Sequence, residues 1–308
     1  MSINIDAYEV PRPGDFDNHA ANYQAIEVRP IASALGAETL GVDASNISDQ
    51  AAADLASALY RHKVVFLRGQ RLTHRDQENL TLRFGPFGVD AYTPGMPGHE
   101  NVQRVVKEAN ERVAMVFGGA WHTDSAFLSR PPAISMLYCV DAPPYGGDTW
   151  FANTVLAHQF LSPTMQAMIA PLKVHMSARN VLAGIQNKTS REDSMNAVAD
   201  TLDHEQMMIR GSFHPLVRRH PETGEQALYV DQTYSVGIEG MHHNEASSMI
   251  NFLVQHATQP VFTCRIQWEP DMLMLWDNRA TLHHAFNDYD GYRREMFRTI
   301  VEGETPSA

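Results

Sequence analysis

From Ile134 onward the chain is a succession of short β-prone runs: Ile134 to Val140, Ala227 to Val230, Val261 to Trp268, Met272 to Trp276 and Phe297 to Val301. Turn residues such as Pro143-Pro144, Gly146-Gly147 and Thr223-Gly224 separate several of them. Many short strands with this punctuation predict a mainly β fold with flanking helices, a sandwich or jelly roll.

Upstream, Ile26 to Ile31 alternates like an edge strand, and Lys63 to Leu67 is a short apolar run that fits a buried one. Ser48 is placed to cap a helix through Leu55 and Leu59, and Thr73 with Asp76 forms a capping-box pattern ahead of Leu80. Residues 1–25 read as a polar arm and 26–308 as a single domain. Ser177 to Gly211 is a long polar interruption, expected to be a partly helical lid, because loops of that length usually cover a site or carry their own helix.

The 308 residues are 44% apolar, enough for a substantial core. Lys and Arg total 24 against 36 Asp and Glu, a net charge of −12, which argues against a nucleic-acid surface. Cys139 and Cys264 sit in apolar segments without C-x-x-C spacing and read as reduced core residues. With no secretory signal and no membrane-length apolar stretch, the expected location is the cytoplasm, without a membrane partner.

The strongest local motif is Trp121-His122-Thr123-Asp124. In an extended strand residues i and i+2 face one way, so His122 and Asp124 can reach one metal ion together. The segment Trp276 to Ala285 adds a distant His283. Two histidines and one carboxylate make the facial triad of Fe(II) oxygenases, which leaves metal positions open for a 2-oxo acid and O2. Zinc accepts the same ligands, so a metal-dependent hydrolase is an alternative, as is a jelly roll that binds a ligand without catalysis.

Beyond His283, Arg294, Met296, Arg298 and Ile300 share one face of a strand, the two arginines about 13 Å apart at ~3.3 Å per residue. Inward-facing guanidinium groups each need an anion. Two carboxylic ligands would supply these, and surface ion pairs with Asp288 or Glu302 are the other possibility.

Together these segments, with Val64 to Arg68, Arg83-Phe84-Gly85 and Gly146-Gly147-Asp148-Thr149, resemble the taurine dioxygenase and 2,4-dichlorophenoxyacetate dioxygenase family from about Ile26 to Val301. The resemblance implies a double-stranded β-helix and an Fe(II)- and 2-oxoglutarate-dependent dioxygenase that hydroxylates a small organic acid, yielding succinate and CO2. It places His122, Asp124 and His283 on the iron, Thr149 and Arg294 on 2-oxoglutarate, and Arg298 on the acidic group of the substrate. It also implies a homo-oligomer, a dimer or tetramer.

Departures bear on the substrate. Asp90 falls where taurine dioxygenases carry a histidine, and Gly118 where they carry an asparagine. Other stretches look closer to dioxygenases of aryloxyalkanoic acids, in which case Phe117 and Tyr234 line the pocket; as core aromatics they would have no such role.

Overall fold

A computed structural model describes residues 16–112, 116, 118–186 and 202–308. The alternation in the sequence becomes a large sheet buried on both faces. Its order is Glu27–Pro30, Ala37–Leu40, Val64–Leu67, Leu273–Asp277, Ile134–Asp141, Arg294–Val301, His99–Lys107 and Gly95–Met96. Val64, Phe66, Leu137, Cys139, Met274, Trp276 and Met296 enter one core. Their neighbours Val65, Leu67, Met136, Tyr138, Leu273 and Leu275 enter a second core with Leu55, Ala58 and Leu59 of the helix Asp49–His62. A period of two with both faces apolar is what burial between two layers demands.

Against the first core lie two smaller antiparallel sheets. In one, Thr149–Asn153 runs between Thr263–Ile266 and Thr281–Ala285; in the other, Lys173–Met176 runs between Ser212–Pro215 and Ser235–Ile238. Phe151, Ala152, Cys264, Ile266, Leu282, Val174 and Met176 close the same core from that side. Both cysteines are free and buried. Burial pushes each thiol up to about 12.

The expected caps are present. Ala51 N donates to Ser48 Oγ at 3.2 Å, and Thr73 and Asp76 exchange side-chain-to-backbone bonds. Of the arm, residues 16–25 are described and they dock: Phe16 packs on Phe160 and Phe262, and Asn18 Nδ2 donates to the carbonyls of Ala32 and Gly36. The helices Arg179–Gln186 and Leu202–Arg210 lie within the segment expected to be a partly helical lid, whose residues 187–201 lie outside the described residues. No helix among the described residues is long and apolar enough to cross a membrane.

Candidate functional site

The Trp121 to Asp124 motif is not the extended strand its spacing suggests. His122 makes an isolated bridge to His283, with His122 N donating to His283 O at 3.0 Å and His283 N to His122 O at 2.8 Å, and the chain then turns through Ser125 at φ 44. The bridge does what the strand was expected to do. It sets the His122 and His283 rings 4.0 Å apart, with their Nε2 atoms 3.7 and 3.6 Å from Asp124 Oδ1.

Ligand atoms of His122, Asp124 and His283 all lie within 4.8 Å of one another, and all three residues are buried. Among the described residues no other group of His, Cys, Asp or Glu meets that condition. His122 Nδ1 lies 2.8 Å from the Ala120 carbonyl, which can only accept. The proton therefore sits on Nδ1 and leaves the Nε2 lone pair for a metal.

Asp124 is held from behind. Ser135 Oγ donates to Asp124 Oδ2, Asn278 Nδ2 donates to Ser135 Oγ at 2.9 Å, and Trp276 Nε1 donates to Asn278 Oδ1 at 3.0 Å. This chain of donors leaves Oδ1 for the two imidazoles. Burial alone would raise the Asp124 carboxyl, but His283, His122 and Arg298 hold it well below the usual carboxylate range. Burial works against charge on both histidines; Asp124 outweighs it at His122, which is raised, whereas at His283 burial and the neighbouring His122 push the ring down to about 3.

His284 is excluded from the cluster, since its ring packs against Trp121 and Phe286. Other histidines satisfy core contacts: His62 Nδ1 hydrogen-bonds Asn18 Oδ1, and His220 Nε2 donates to Asp277.

Arg294 and Arg298 are 7% and 5% exposed, so the inward face of the last strand is confirmed. Asp288 and Glu302, the alternative surface partners, pair with Arg265 and Arg130 instead. Among the described residues Arg294 forms no ion pair, and its buried Nε has no hydrogen-bond partner. Burial lowers its pKa. The guanidinium lies 5.6 Å from the centre of the Trp268 ring, and Trp268 Nε1 donates to Thr149 Oγ1 at 2.9 Å, which links the two residues read as one carboxylate cradle. Gly147, at φ +67, permits the approach, because a Cβ there would stand 3.4 Å from Arg294 Cδ and 3.1 Å from Pro143 and Tyr289.

Arg298 is ion-paired within the protein. Its Nη2 donates to Asp90, and its Nη1 lies 3.8 Å from Asp124 Oδ1. Tyr234 is buried, its hydroxyl accepting from Tyr92 at 3.0 Å and its ring 6.4 Å from that of His122. Phe117 lies outside the described residues.

Sequence reasoning missed Ser135, Asn278 and Trp268, and it noted Asp90 as a departure bearing on the substrate without pairing it with Arg298. Asn278 stood inside the motif that supplied His283, and that was the only signal for it. Asp231 was missed as well; it is fully buried beside the site, accepts from Tyr234 N at 2.6 Å, and burial pushes its carboxyl up to about 6.

Comparison with known proteins shows the family. Residues 27–300 match the family model described as taurine catabolism dioxygenase TauD, TfdA family. The chain is 31% identical to an alpha-ketoglutarate-dependent sulfate ester dioxygenase of Pseudomonas putida, over 91% of each chain. A solved structure described as a putative alpha-ketoglutarate-dependent taurine dioxygenase from Burkholderia xenovorans is 32% identical, with a TM-score of 0.75, covering 92% of this chain and 91% of that one. AAD-2, solved in complex with Mn(II) and N-oxalylglycine, is 25% identical with a TM-score of 0.76, covering 92% of this chain and all of its own.

Proposed function

The chain belongs to the TauD, TfdA family of dioxygenases, and from that premise we propose that His122, Asp124 and His283 hold Fe(II) while Arg294 and Thr149 bind the far carboxylate of 2-oxoglutarate. Arg298 receives the acidic group of a small organic substrate, an aryloxyalkanoate or a similar carboxylate or sulfonate, and Tyr234 lines its pocket. The sheets that close on the first core form a double-stranded β-helix, with residues 26–308 as one catalytic domain and 177–211 as its lid.

The observation that carries this reading is a buried cluster of two imidazoles and one carboxylate, together with a buried guanidinium, that of Arg294, whose Nε has no hydrogen-bond partner among the described residues. With 2-oxoglutarate and O2, Fe(II) supplies an oxidative decarboxylation that yields succinate and CO2 and delivers one oxygen atom to a substrate C–H bond. The protein's residues prepare that reaction. The Ala120 carbonyl fixes the His122 tautomer, and Ser135 fixes the Asp124 carboxylate. Arg294 offers a planar fork that pairs a carboxylate through two hydrogen bonds. Burial of the triad limits competing water. Where the hydroxylated carbon bears an ether or ester oxygen, the hemiacetal-type product collapses to a carbonyl compound.

Anaerobic protein with Fe(II) and 2-oxoglutarate, titrated with aryloxyalkanoates, alkyl sulfonates and sulfate esters, tests the proposal. An acid that alters the metal-to-ligand absorption and, after oxygen is admitted, raises succinate yield is the expected result. Turnover that needs neither oxygen nor 2-oxoglutarate would replace this reading with metal-dependent hydrolysis.

A second prediction concerns the co-substrate. Arg294→Met removes a charge-assisted pair worth about 1.5–3 kcal/mol, so the KM for 2-oxoglutarate should rise roughly 10–100-fold. Steady-state succinate assays at varied 2-oxoglutarate measure it, and an unchanged KM would dissociate Arg294 from that carboxylate.

A further inference from the structure

The arginine read as the substrate's partner already has an anion. Asp90 lies in the loop between Phe87, which bridges to Val301, and the short strand Gly95–Met96. Its Oδ1 accepts from Tyr92 N at 2.8 Å and Thr93 N at 2.9 Å, an Asx turn that fixes the carboxylate without any help from Arg298. Its Oδ2 accepts from Arg298 Nη2. The two side chains are 2% and 7% exposed, so water screens the pair little. The same loop is tied to the metal cluster's surroundings through Tyr92, whose hydroxyl donates to Tyr234.

A carboxylate held by two backbone N–H groups does not swing away when a ligand arrives. An incoming acid therefore meets a guanidinium whose charge is cancelled by a fixed neighbour. Taken alone, Arg298 would attract any monoanion; paired with Asp90 and facing Asp124, it gives little net attraction to charge. An ionised carboxylate offers about four lone-pair directions, of which two backbone N–H groups and Arg298 use three. Among the described residues one acceptor direction on Asp90 is left for a hydrogen-bond donor.

Resting on the proposed role of Arg298, we infer that Asp90 is a specificity-determining residue. Among the small carboxylates and sulfonates of the proposed function it weakens binding of simple monoanions, aryloxyalkanoates included, and favours acids that carry a hydrogen-bond donor next to the acidic group, the acid meeting Arg298 and the donor meeting Asp90. The recognition element is then an Asp–Arg pair rather than a lone arginine.

Phenylacetate and mandelate differ by one hydroxyl beside the carboxylate and serve as the matched probes. Affinities are measured by calorimetry on the anaerobic Fe(II)- and 2-oxoglutarate-saturated protein, and the probe-induced rise in melting temperature gives a second readout. The wild type should bind mandelate more tightly than phenylacetate. In Asp90→Asn and in Asp90→Ser, where the serine hydroxyl can still cap the turn, the melting temperature without a probe should fall because Arg298 loses its counter-ion. Phenylacetate should bind on the order of tenfold more tightly and restore more of that melting temperature, and the preference for mandelate should shrink.

Phenylacetate affinity that is unchanged or weaker in both variants, while Arg298→Lys weakens it, would overturn the role of Asp90 and leave that of Arg298 standing. If Arg298→Lys alters phenylacetate binding in neither the wild type nor Asp90→Ser, the role of Arg298 falls, and that of Asp90 with it.

Discussion

Replacing Asp124 with alanine is expected to abolish 2-oxoglutarate-dependent succinate formation and to weaken Fe(II) binding by more than about 100-fold, beyond the 10–100-fold typical of losing an outer partner of a metal ligand. Asp124 is the only anion among the three clustered side chains, and its Oδ1 lies between both imidazole Nε2 atoms. Alanine removes the charge that makes the cluster attractive to a divalent cation. It also leaves Ser135 Oγ without its acceptor and Arg298 with one carboxylate fewer. Metal content after dialysis against Fe(II), together with succinate release, measures the effect. Normal iron retention and turnover in this variant would remove the basis for the metal site.

The second large effect is on stability. Asp277 is fully buried where the large sheet hands the chain to the strand that carries His283. Arg279 donates to both of its oxygens, at 2.9 and 2.7 Å, and His220 Nε2 lies 2.8 Å from Oδ2. Breaking a buried pair by deleting one partner costs about 3–5 kcal/mol, because the remaining charge stays desolvated. Asp277→Ala should accordingly lower the melting temperature by roughly 5–8 °C.

The pH dependence follows from the same contacts. Burial would raise the Asp277 carboxyl, but Arg279 and His220 hold it well below the usual carboxylate range. A depressed folded-state pKa contributes stability that is present above the unfolded value of about 3.9 and is lost as pH falls further. Melting curves from pH 7 down to 3 should therefore show wild type and variant converging toward the acid end. A gap that stays constant with pH would mean that the loss comes from packing rather than from ionisation.

The sequence exposed those parts of the molecule that rest on local pattern. Val64 to Leu67 and Ile134 to Asp141 are strands because nearly every residue in them is apolar or β-branched, and burial on both faces demands that. His99–Lys107 escaped notice, since its residues HENVQRVVK mix charge with valine and its place beside the last strand is set by pairing rather than by composition. The helix His243–Ala257 was likewise not anticipated.

At the site, the two motifs that supply His122, Asp124 and His283 were legible as motifs, yet their junction was not. The bridge between His122 and His283 spans residues far apart in sequence and depends on a register that no local spacing encodes. The pairing of Asp90 with Arg298 was not legible for a related reason: each position bore on the substrate separately, and their contact joins residues 208 positions apart. Ser135 gave no signal either, being a small polar residue inside an apolar strand.

The supports of the metal cluster come from opposite layers of the fold. Asp124 is braced by Ser135 on the large sheet, whereas His283 belongs to the small sheet built around Thr149–Asn153. A cation shared by these residues acts as a rivet through the sandwich, so part of the free energy of loading it is also free energy of holding the layers together. The spacing that chemistry requires and the spacing that core packing prefers are then a single dimension, and a substitution that swells or thins the interior between the sheets would retune the metal centre without touching any of its ligands.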